Sequence, residues 1–179
     1  MKRLLPLLCA CLAVAAVAVV PTAGAKSSKS SKPFSAADEQ YLKTSMQGDL
    51  FEIVGGKWAK SHTRTAAVLR MADRLVTDHF KSYDDAAKLA HSLGIAVPTT
   101  PTPSQVWELT MVTSLHGKAY DHWYSSLEVY DHVQDIQETT DEVNDGTNSK
   151  VRDDARTELP TLREHLTLAR AALAANPEA

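Results

Sequence analysis

The chain has 179 residues, with 19 basic and 22 acidic side chains and a formal net charge of −3 at pH 7. No basic patch stands out beyond a Lys/Ser run at 26–32, which argues against a nucleic-acid partner. Both cysteines, Cys9 and Cys11, lie near the start, leaving the body of the chain without a disulfide, a thiolate metal site or a thiol nucleophile.

Residues 1–25 read as a signal peptide. Lys2 and Arg3 form a short positive region, Leu4 to Val20 an apolar run, and Ala23-Gly24-Ala25 a small-residue cleavage site. Without the leader, and so without Lys2 and Arg3, 17 basic residues face 22 acidic ones. The mature protein is expected to be exported, to the periplasm or the medium. Residues 26–33, rich in Lys and Ser, read as a solvated tether, and 34–176 as one helical domain.

Ser35 can cap the first helix, with Asp38 as its capping-box partner, and that helix should reach about Ser61. The second spans roughly Thr63 to Leu93, with apolar or small residues at 72, 76, 83, 86, 90 and 93 at the spacing of an amphipathic helix. Gly94 and "VPTTPTP" stop it. Ser104 can cap a third helix to about Val143, "NDGTNS" is a turn, and the fourth runs from Asn148 or Ser149 to before Asn176. Pro160 inside it predicts a kink, or a break and restart. The fold expected is all-α, an antiparallel four-helix bundle.

Several polar residues fall on faces that such a bundle buries. Asp121, Tyr124, Glu128 and His132 share one arc of the third helix. His79 falls in the apolar register of the second, His165 shares a seam with Leu162 and Ala169, and Glu52 stands among Ser45, Gly48, Gly55 and Ala59. Counting levels from the turns brings Glu52, His79, Asp121, Tyr124 and His165 together mid-bundle and sets His132, with Glu128, apart as a secondary pair. Imidazole mixed with carboxylate suits Zn, Fe or Cu, held until the imidazoles protonate at about pH 6. The competing reading is a buried hydrogen-bond network that fixes helix register. The Glu-x-x-His pattern of di-iron carboxylate bundles is missing, since no Glu has a His three residues on.

The segments "GDLFEIVGGKWA", "VLRMADRLVTDHFKSYDDAAKLAHSLGIAVP", "YDHWYSSLEVYDH" and "LPTLREHLTLA" together resemble the exported bacterial ferritin-like family catalogued as domain of unknown function 4142, often given an outer-membrane label. The resemblance covers about Ala36 to Leu173, and Glu52, Asp78, His79, Asp121, Tyr124, His132, Leu159, Pro160 and His165 stand on its recurring positions. It implies a ferritin-like bundle in the cell envelope and no known reaction. No helix read from the sequence is apolar enough for stable membrane insertion. Three functions remain open: a non-enzymatic envelope protein that binds a divalent metal, a metal-dependent oxidoreductase, and a purely structural or protein-interaction module with an unidentified protein partner.

Overall fold

The computed structural model describes residues 33–178. The expected signal peptide, and the tether up to residue 32, lie outside the described residues. Five helices follow: α1 Ala36–His62, α2 Ala66–Leu93, α3 Pro103–Thr113, α4 Gly117–Asp145 and α5 Ser149–Ala175, with no strand among the described residues. None of these helices is long and apolar enough to cross a membrane.

The caps follow from the sequence. The Ser35 hydroxyl accepts from the Asp38 N–H at 3.0 Å and the Asp38 carboxylate accepts from the Ser35 N–H at 2.6 Å, the expected capping box. Asp38 also accepts from the Thr147 N–H at 2.7 Å, from the Thr147 hydroxyl and from the Asn148 N–H at 3.2 Å. One carboxylate thus closes the start of α1 and ties it to the α4–α5 turn. Burial alone would raise that carboxyl; the hydrogen bonds outweigh it and hold it well below the usual range. Gly94, at φ 71°, ends α2 in the left-handed conformation glycine tolerates.

The third helix departs from expectation. It begins two residues earlier, with Thr102 as cap and Pro103 in the first turn, and it stops at Thr113. Gly117, at φ 59°, cannot sit inside a continuous right-handed helix, and the chain restarts there as α4. Pro160 does the opposite: α5 runs unbroken through it, with the ring exposed.

Helix direction departs too. The Thr65 hydroxyl donates to Asp121 at 2.5 Å, and the His62 and Tyr120 rings lie 5.2 Å apart, so α4 starts beside the α1–α2 connection. The α4–α5 turn lies beside the start of α1. Hence α1–α2 and α4–α5 are two antiparallel hairpins, while α2 and α4 run the same way. Residues 94–116, including α3, make the return between them, so the connections are not all short.

Two apolar layers bracket a polar one. At one end Ala59, Met71, Leu75, Tyr120, Tyr124 and Ala169 pack together; at the other, Leu42, Met46, Ala86, Ala90 and Ile95 do. Between them the buried polar positions include Glu52, His79, Glu128, His132 and His165.

Candidate metal centre

Three histidines from three helices meet in this middle layer: His79 on α2, His132 on α4 and His165 on α5. Their ring centroids lie 5.9 Å (His79–His132), 5.0 Å (His79–His165) and 5.4 Å (His132–His165) apart. All three are buried, His132 and His165 completely.

Each ring has one nitrogen held and the other free. Nδ1 of His79 donates to Asp49 at 2.8 Å, Nδ1 of His132 to the Glu128 carbonyl at 2.9 Å, and Nε2 of His165 to Asp78 at 2.9 Å. Arg74 braces Asp78 at 2.7 Å. Nε2 of His79, Nε2 of His132 and Nδ1 of His165 have no hydrogen-bond partner. Fixing one nitrogen as a donor leaves a lone pair on the other, which is how second-shell carboxylates and carbonyls orient metal-binding imidazoles. Donor atoms of the three rings come within 4.8 Å of one another.

Burial pushes the imidazoles down, His79 to about 4, His165 to about 4 and His132 to about 3, the last two helped by the neighbouring rings. They are neutral at pH 7, the form that binds a metal.

A second donor set shares His132. Glu52 on α1 and Glu128 on α4, both fully buried, each place a carboxylate oxygen 3.8 Å from its Nδ1, and the three have donor atoms within 4.8 Å. None of the four carboxylate oxygens has a hydrogen-bond partner. Burial, then the charges of Glu128 and Asp131, push Glu52 well above the usual carboxylate range; burial pushes Glu128 up to about 7. The pair therefore holds a proton where isolated carboxyls would be ionised.

Of the residues expected to converge, Glu52, His79 and His165 are here, and His132 and Glu128, set apart in the sequence reading, are here with them. Asp121 is not: it lies near the start of α4, bonded to Thr65. Tyr124 packs on Tyr120 at 5.5 Å in the adjoining apolar layer, and its buried hydroxyl, beside Gly55, reaches the edge of the cluster, where burial and then the charges of Glu128 and Glu52 push it well above the usual phenol range. The level count failed because it started the third helix at the wrong end. Counted from the starts of α2 and α4, His79 is thirteen residues in and His132 fifteen. Sequence reasoning gave no role to Asp49 or Asp78. Asp49 lies three residues before Glu52, on the same helix face, and that spacing was the available signal.

The family model described as Domain of unknown function (DUF4142) matches residues 23–172, and the chain belongs to that family. No curated protein and no solved structure matches it.

Proposed function

We propose that this chain is an exported helical-bundle protein of the cell envelope that binds one divalent transition metal through His79, His132 and His165, with Glu52 and Glu128 as nearby carboxylate donors. One observation carries the reading: three buried neutral imidazoles, each held by a hydrogen bond at one nitrogen and unpartnered at the other, bring ring nitrogens within 4.8 Å of one another. A network that only fixed register would pair those atoms with each other, because each buried polar atom left alone costs about 1–3 kcal/mol. Three imidazoles with nearby carboxylates suit Zn, Fe or Cu. Two hairpins joined by one long crossover match the connectivity of ferritin-like bundles, and the leader at 1–25 supports export.

Adding Zn, Cu or Fe to metal-free protein should raise its melting temperature, since an ion that binds only the folded state stabilises it by mass action. His79→Gln should remove most of that gain with helical content intact by circular dichroism. Metal analysis of untagged protein from the periplasm should show close to one ion per chain. A gain that survives loss of both His79 and His165 would refute the site.

A further inference from the structure

A small cavity touches the three-histidine layer at His79 alone. About 20 Å³ in volume, it is walled by Asp49 on α1, Asp135 and Glu138 on α4, and Glu158 on α5, with hydroxyls between them and no lysine or arginine in the lining. Asp135, Glu138 and Glu158 are partly exposed, whereas Asp49 and His79 are each only 3% exposed. Oδ1 of Asp49 is bonded to His79, but its Oδ2 is buried without a partner, as is Nε2 of His79.

We propose that this acidic cavity is the port through which a divalent cation reaches the centre, with Glu138 and Glu158 gathering it at the mouth and Asp135 and Asp49 leading it to His79. The proposal rests on the metal-binding reading above. Three observations favour a passage over a second resting site. The carboxylates in the lining do not converge: among the described residues, the groups of three or more with donor atoms within 4.8 Å are the two that contain His132. The volume holds about one water and no hydrated ion, so a cation must exchange water for carboxylate oxygens as it enters. The alternative approaches along the bundle axis run through the two apolar layers. Carboxylates at the partly exposed mouth, with no lysine or arginine in the lining, also raise the local cation concentration and the association rate.

The test is stopped-flow absorption with Co(II), whose ligand-field bands report a bound ion of low coordination number. The double variant Glu138→Gln/Glu158→Gln keeps shape and removes two charges from residues that are not ligands. Its association rate should fall about tenfold or more, with the final spectrum and equilibrium affinity unchanged. An association rate within twofold of the unsubstituted protein overturns the port and leaves the centre standing. No Co(II) band in the unsubstituted protein removes the centre, and the port with it. Should the double variant fail to fold by circular dichroism, the salt series decides. The unsubstituted protein's association rate must drop steeply between low and high ionic strength, and a flat series overturns the port.

Discussion

His132 is the residue on which both donor sets depend, and its substitution separates the two meanings of a buried polar cluster. Its Nδ1 bonds the Glu128 carbonyl within its own helix and its Nε2 bonds nothing, so few partners are stranded when it goes. His132→Leu should leave the metal-free protein as stable as before, or more stable by about 1 kcal/mol in a urea titration, and should abolish the metal-induced gain. A loss of about 3 kcal/mol in the metal-free protein would instead make His132 a structural link. The histidines were legible as anomalies because each interrupts an apolar register. The held and free nitrogens of His79 and His165 were not, since those depend on Asp49 and Asp78 across helix interfaces.

At the scale of the helix, α1 carries glycines of opposite effect. A Cβ on Gly56 would meet Val76 Cγ2 at 2.6 Å and the Ala72 carbonyl at 3.0 Å, because α2 passes close there. Gly56→Ala should cost about 1–3 kcal/mol by denaturant unfolding. On Gly48 the Cβ would meet Asp135 Oδ2 at 3.7 Å, ordinary contact, so Gly48→Ala should gain about 0.5–1 kcal/mol from the stiffer helix. Equal costs at both positions would show that close approach is not what selects glycine at 56. The small-residue stripe in the sequence pointed to Gly55; the close approach to α2 is one residue on, a difference of about 100° in facing direction that an assumed packing partner does not settle. Capping chemistry placed the helix ends well, at Ser35, Gly94 and Asn148. The break before Gly117 was hidden because the apolar pattern continues across it, and one glycine is compatible with a continuous helix until its φ is known.

For the whole molecule, two classes of group pull the pH dependence in opposite directions. Glu128, Glu142 and Asp154 are each pushed up to about 7, chiefly by burial, and Asp135 is raised too. Raised carboxyls favour the fold below their ordinary values near 4, and that contribution is lost as pH climbs through 7. The three histidines sit below their ordinary 6.5, so their contribution is full above 6.5 and is lost as pH falls toward 4. Raised carboxyls outnumber the imidazoles, so metal-free protein should be more stable at pH 5 than at pH 8, by chemical unfolding at each pH. An ion at the proposed centre should displace the protons on the Glu52–Glu128 pair and flatten that fall, with the metal-induced gain larger at pH 8 than at pH 6. The competing protons therefore sit on carboxylates, not on the imidazoles expected from the sequence, and a gain that grows on acidification would contradict this. The two-hairpin topology also bears on which metal the proposed centre would take. The α1–α2 hairpin holds His79 and Glu52, and α4–α5 holds Glu128, His132 and His165, so neither half contains the three-imidazole set. A newly made chain has no complete binding site until the crossover has let the halves dock. Imidazole sites left to equilibrium follow the affinity order of the divalent metals, in which copper leads. For a chain that finishes folding after export, the ion captured at the proposed centre would be set by what that compartment offers when the halves close.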